Sequence, residues 1–103
     1  MKHKNECPVT YCIRCIGGKW KPLILWHINQ CDVLRYGELF KTIPKITQKM
    51  LTQQLRSLEE DGIVSRKVYP IIPPKVEYSL TKHGKSVIPV LESMAKWGQH
   101  NYI

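Results

Sequence analysis

A mainly α-helical domain with a small antiparallel β-wing, α+β in class, is what the sequence predicts, and three observations carry that expectation. Leu51, Leu55 and Leu58 recur at steps of four and three, so they share one apolar stripe of a helix. After Gly62 the period changes to two: Ile63, Ser65, Lys67 and Tyr69 alternate with Val64, Arg66 and Val68, and later Val76, Tyr78 and Leu80 alternate with Lys75, Glu77 and Ser79. Between the two alternating runs stand Pro70, Ile71, Ile72, Pro73 and Pro74, a stiff hairpin tip. With a shorter helix and a break upstream, the arrangement is a winged helix-turn-helix.

The elements follow in chain order. Residues 9–16 read as a short helix that stops at Gly17-Gly18, where glycine can take the left-handed conformation. Residues 19–28 tolerate Pro22 in the first turn, and their near-continuous apolar run predicts a central helix buried on most sides. A loop over residues 29–32 leads to Val33, Leu34 and Arg35, enough for a short edge strand beside the wing. Residues 36–40 form the first helix of the motif, and Ile43-Pro44-Lys45-Ile46 turns the chain. Thr47 is the expected N-cap of the second helix and Gly62 its C′ residue. After the wing, Thr81 can cap a last helical region whose apolar set is Val87, Ile88, Val90, Leu91, Met94 and Trp97, and Pro89 predicts a kink or a break in it.

The whole is expected to be one domain over 1–103: an N-terminal arm and helix at 1–16, a three-helix core at 19–61, the wing at 63–81 and C-terminal dimerisation helices at 82–103. The last helix offers more apolar surface than so short a chain can cover. Packing of the first and last helices against a second copy is therefore expected, with two reading heads about 34 Å apart on a palindromic site.

Sixteen Lys and Arg against eight Asp and Glu give a formal charge of +8, which suits a polyanionic partner. No apolar run approaches the roughly 20 residues of a spanning helix, and the start lacks the apolar segment of a signal peptide. The expectation is a cytoplasmic protein with no membrane partner.

On the second helix of the motif, Lys49, Gln53, Arg56 and Glu60 fall opposite the leucine stripe, with Gln48 and Thr52 on its flank. Glutamine can pair with adenine, arginine and lysine with guanine, and threonine can reach a base edge or a thymine methyl. Thr47, Gln48, Lys49, Thr52, Gln53 and Arg56 are thus the expected base-reading side of a duplex-DNA interface. Arg66, Lys67 and Lys75 on the wing can each neutralise a phosphate. Arg35 can reach a backbone phosphate or brace Glu38 on its own helix. The acids Glu59, Glu60 and Asp61 are expected to face away from the duplex.

All four cysteines, Cys7, Cys12, Cys15 and Cys31, lie in the first third of the chain. Cys7 has Lys2, His3 and Lys4 beside it in sequence, and positive charge favours thiolate, so Cys7 is the candidate redox sensor. Cys12 and Cys15 are expected to pack as small hydrophobes rather than to hold zinc. No metal, cofactor or catalytic residue is expected. Two other functional classes compete with a DNA-binding regulator. A thiol enzyme built on Cys12 and Cys15 would lack both a βαβ pattern and an acid-base constellation. A protein-interaction module would use the apolar tip at Ile71 and Ile72.

With these residues in view, the chain resembles the HxlR family of winged-helix bacterial transcriptional regulators, relatives in fold of the MarR group. The carrying residues are Cys7-Pro8, Gly17-Gly18-Lys19-Trp20, Arg35-Tyr36-Gly37-Glu38-Leu39, Gln48-Lys49-Met50-Leu51 with Leu55-Arg56, Asp61-Gly62, Tyr69-Pro70, Pro73-Pro74, Val76-Glu77-Tyr78 with Leu80-Thr81, and Gly84. The resemblance implies a homodimeric DNA-binding repressor or activator that joins through its terminal helices. It also implies a recognition helix over residues 47–56, a wing over residues 66–75, and an N-terminal cysteine that in some relatives senses oxidants or electrophiles. Switching by cysteine oxidation or by a small ligand follows as an expectation. Where the family often has an acidic residue and an arginine in the wing, this chain has Ile71 and Lys75. Lysine keeps a point charge for phosphate without the planar fork of arginine.

Overall fold

A computed structural model describes residues 5–102 of the chain. Its elements are α1 (Pro8–Ile16), α2 (Lys21–Cys31), β1 (Val33–Arg35), α3 (Tyr36–Thr42), α4 (Gln48–Glu60), β2 (Val64–Tyr69), β3 (Lys75–Leu80), α5 (Lys82–Lys85) and α6 (Ile88–Asn101). The three strands form one antiparallel sheet in the order β1-β3-β2. This is the predicted architecture: a helical core carrying a small β-wing.

The ends of α4 are set by the residues the sequence nominates. Thr47 Oγ1 accepts a hydrogen bond from the Met50 N–H at 3.1 Å, and Gly62 takes a left-handed φ of 71° just past the helix. Leu51, Leu55 and Leu58 are all buried, and removing each from water contributes about 1.5–3 kcal/mol. They meet Ile24, Leu25 and Ile28 of α2 and Leu39 of α3 in the core. Ile43 and Ile46 of the turn between α3 and α4 are buried in the same core, which fixes the angle between the two helices of the motif.

Two expectations for α2 need correction. The helix continues to Cys31, so most of the anticipated loop is helical and the chain reverses at Asp32, which has a φ of 63°. Nor is α2 buried on most sides: Leu23 is exposed and Trp26 and His27 are half-buried, because α2 meets the core with one face only. Leu23 and Trp26 instead line an open apolar groove with Leu91, Met94 and Ala95 of α6.

Lys21 is the residue in α2 that its sequence context least suggests as buried, at 9% exposure. Its Nζ donates to Ser57 Oγ at 2.8 Å and to the Arg14 carbonyl at 3.4 Å, joining α2 to α4 and α1. Lys21→Ala removes both the bond and the packed stem and is expected to cost about 2 kcal/mol. Lys21→Met keeps the stem and should recover most of it, as read by urea denaturation. Equal losses for the two variants would assign the whole effect to the hydrogen bonds.

At the C-terminal side, Pro89 does break the last helical region. α5 ends at Lys85, and Pro89 lies in the first turn of α6, where a missing N–H leaves no bond unmade. Thr81 caps α5, its Oγ1 accepting from the Gly84 N–H at 3.0 Å. Only Leu91 of α6 is buried, while Met94 is 52% and Trp97 72% exposed. Among the described residues no helix is long and apolar enough to cross a membrane.

Candidate nucleic-acid interface

The leucine stripe turns the opposite side of α4 outward. Gln48, Lys49, Gln53 and Arg56 are exposed and Thr52 is half-buried on the flank. Thr47 is exposed too, but its hydroxyl oxygen is occupied in capping the helix. Thr47→Ala should therefore act first on helix stability, by about 1 kcal/mol.

Tyr36, at the start of α3, fixes the position of that flank. Its hydroxyl lies 3.0 Å from the Gln48 carbonyl oxygen and 3.0 Å from Thr52 Oγ1. It therefore ties the first helix of the motif to the first turn of the second. The Arg35 N–H donates to Glu38 Oε1 at 2.8 Å, which caps α3 and shows Glu38 bracing its own helix through the backbone of Arg35.

Strand register sorts the wing charges between two faces. Arg66 pairs with Tyr78, which also pairs with Leu34, so Arg66 shares the face that packs on the helices. There it lines a cleft of about 300 Å³ with Tyr36, Thr52, Leu55, Arg56, Glu59 and Tyr78. Two arginines from different elements thus converge on one polar cleft beside the recognition helix. Glu59, expected to face away from a polyanion, also lines this cleft.

Arg35, Lys67 and Lys75 belong to the other face. Arg35 and Lys67 flank Glu77 across the strands, and Lys75 lies opposite Tyr69. The Tyr69 hydroxyl donates to Glu77 Oε1 at 2.9 Å and Lys75 Nζ stands 3.4 Å from Glu77 Oε2. The tyrosine hydrogen bond first, then Lys75 and more weakly Arg35, hold the Glu77 carboxyl below its ordinary range. Lys67 and Lys75 ammonium groups sit 4.9 and 4.5 Å from the Tyr69 ring centroid. Of the sequence-nominated residues, the fold thus gathers Thr52, Arg56 and Arg66 in one cleft and places Arg35, Lys67 and Lys75 around a carboxylate on the opposite face. Tyr36 and Glu59 complete the cleft and were not among the nominated residues. An aromatic residue opening the first helix of the motif is the signal that could have found Tyr36.

At the other end of the molecule Cys7 is exposed and stands as N-cap of α1. The nearby backbone N–H groups of Thr10 and Val9, in the first turn of α1, lower its pKa, although the thiol makes no side-chain cap hydrogen bond there. Among the described residues, the amides of the first turn of α1 and the Thr10 side chain favour the thiolate. Lys2, His3 and Lys4, which the sequence offered for that role, lie outside the described residues. Cys15 is buried and Cys12 half-buried against the core, as small hydrophobes. Cys31 is exposed at the end of α2. Among the described residues no group of three or more His, Cys, Asp or Glu is placed to hold a metal ion.

The helix pair, its capped second helix and the three-stranded wing define a winged helix-turn-helix transcriptional regulator. The chain belongs to the HxlR-like helix-turn-helix family, whose family model matches residues 15–103. An HTH-type transcriptional regulator of Methanothermobacter thermautotrophicus is 50% identical over 93 residues, a match covering 90% of this chain and 70% of that one. The structure of the redox regulator HypR in its oxidized form superposes with a TM-score of 0.89 at 47% identity, covering 94% of this chain and 99% of that one. Its reduced form superposes with a TM-score of 0.88 at 47% identity, over 92% and 93% of the two chains. The family and these relatives are regulators, not enzymes, so a thiol enzyme built on Cys12 and Cys15 falls away.

Proposed function

We propose that this regulator binds operator DNA as a homodimer in the cytoplasm, with α4 in the major groove and the wing along the backbone. The observation that carries the proposal is the outward side of α4, Gln48, Lys49, Gln53 and Arg56, standing beside a cleft to which Arg66 brings a second guanidinium. Arginine contacts to phosphate position the protein, and the glutamines and Lys49 read base edges. On this reading Arg35, Lys67 and Lys75 reach phosphates of the flanking backbone from the outer face of the wing.

Homodimerisation is supported by the apolar faces that α1 and α6 leave open, with Val9, Ile13, Met94 and Trp97 all more than half exposed. A two-fold pairing of those faces suits a palindromic operator. The test is equilibrium binding to a library of short duplexes across a salt series. A steep fall of affinity with salt and selection of an inverted repeat are expected. Salt-insensitive association with a protein and no affinity for any duplex would favour the protein-interaction reading, for which the fully exposed Ile72 at the wing tip is the supporting observation.

Cys7 is the proposed switch of this regulator. An exposed thiol with a lowered pKa is the form that oxidants and electrophiles attack, and the similarity to a redox regulator supports the assignment. Diamide should change the affinity of the wild type for DNA and leave Cys7→Ser unaffected. An identical response in both proteins would move the switch to another of the free cysteines, and no response in either would leave a small ligand as the effector.

A further inference from the structure

A carbonyl oxygen can only accept a hydrogen bond, whereas a phenol has one proton to give and lone pairs to receive with. The Tyr36 hydroxyl is 3.0 Å from the Gln48 carbonyl oxygen and 3.0 Å from Thr52 Oγ1. The first contact is a hydrogen bond only if Tyr36 is the donor. Its single proton is then committed to Gln48, and the second contact must run from the Thr52 hydroxyl to the Tyr36 oxygen. Thr52 thereby has no proton left for anything outside the protein. What it offers to the cleft between α4 and the wing is lone pairs and a methyl group.

Building on the DNA-binding reading above, we propose that Tyr36 is a specificity-determining positioning residue that fixes Thr52 as a hydrogen-bond acceptor in the recognition surface. In the major groove the base edges that donate are adenine N6 and cytosine N4, while guanine presents only the acceptors N7 and O6. Thr52 accordingly takes adenine or cytosine through its oxygen at the position it faces and disfavours guanine there, while thymine, whose O4 also only accepts, could meet it only through the Thr52 methyl. It also cannot donate to a phosphate oxygen, so in this cleft the backbone is left to Arg56 and Arg66. The selection comes from a residue that itself touches no base: Tyr36 lies on α3 and acts through Thr52.

The experiment compares base preference, measured on a randomised duplex library, for the wild type, Tyr36→Phe, Thr52→Val and the double variant. Tyr36→Phe frees the Thr52 proton, so discrimination against guanine at one operator position should fall about fivefold, with the other positions unchanged. Thr52→Val removes the acceptor and should abolish the adenine or cytosine preference at the same position. In the Thr52→Val background, Tyr36→Phe should then have no further effect on preference, a coupling that a merely structural role for Tyr36 would not produce. The proposal is overturned if Tyr36→Phe lowers affinity for all sequences together, if its effect persists without the Thr52 hydroxyl, or if Thr52→Val leaves the preference unchanged. Should Tyr36→Phe fail to fold, Thr52→Val still overturns the proposal if it leaves the preference unchanged. Absence of duplex binding by the wild type would instead overturn the DNA-binding reading, a result distinct from all of these.

Discussion

Gly84→Ala is expected to destabilise the fold by about 3 kcal/mol, the high end of what overpacking costs, because the added carbon meets rigid backbone. A Cβ built on Gly84 would overlap the carbonyl oxygen of Ile63. That carbonyl is already engaged, accepting from the Thr81 N–H at 3.1 Å. Thr81 in turn donates its hydroxyl to the Gly62 carbonyl at 2.6 Å and receives the Gly84 N–H. These contacts tie the exit of α4, the entry to β2 and the start of α5 into one knot at the base of the wing. The clash is with backbone rather than with a side chain that could turn away, so α5 or the base of the wing must shift. A fall in melting temperature of about 15 °C should accompany the change. A loss below about 1 kcal/mol would mean that α5 can shift without disturbing the wing.

Removing both arginines from the cleft should have the largest effect on DNA binding. For Arg56→Ala with Arg66→Ala, the slope of log affinity against log salt should become shallower by about two, one for each phosphate no longer neutralised. Affinity near physiological salt should drop more than about tenfold, on specific and non-specific duplexes alike. Gln53→Ala is the contrasting case: it should flatten base preference while leaving the salt slope intact. Equal losses on every sequence for both variants would contradict the division between phosphate-positioning and base-reading side chains.

Much of the framework was legible because local chemistry and tertiary structure agree. The spacing of Leu51, Leu55 and Leu58 located α4, Thr47 and Gly62 marked its ends, and Pro89 foretold the separation of α5 from α6. Alternation along β2 and β3 predicted the hairpin, and residues 33–35 do form the edge strand. What was not legible depends on partners far away in sequence. Lys21 reads as a solvated charge in a first turn until Ser57, 36 positions later, is brought to its ammonium. Which wing charges face the recognition helix is a matter of register, since a shift of one residue would exchange the faces of Arg66 and Lys67. The apolar run in α2 suggested burial all round because periodicity does not say whether a second helix covers each side. Leu23, exposed, and Trp26, half-buried against the core, line an open groove instead.

Stability and recognition are coupled through the same few side chains. The helix proposed to read bases is held by a cap at Thr47, by Tyr36 at its first turn and by Lys21 against Ser57 farther along. Each is a polar interaction at the margin of the core. Variants at Thr47 and Lys21 are therefore expected to alter DNA affinity more than their effect on global stability suggests, because recognition depends on position within about 0.5 Å.

The most direct measurement is an amide NMR titration of the isotopically labelled protein with a duplex of about 20 base pairs selected from the library. With α4 in the groove and the wing on the backbone, the largest shifts fall on residues 48–56 and around Arg66, while α1 and the second half of α6 stay unmoved. Shifts concentrated on α1 and α6, with residues 48–56 unchanged at saturation, would contradict that placement.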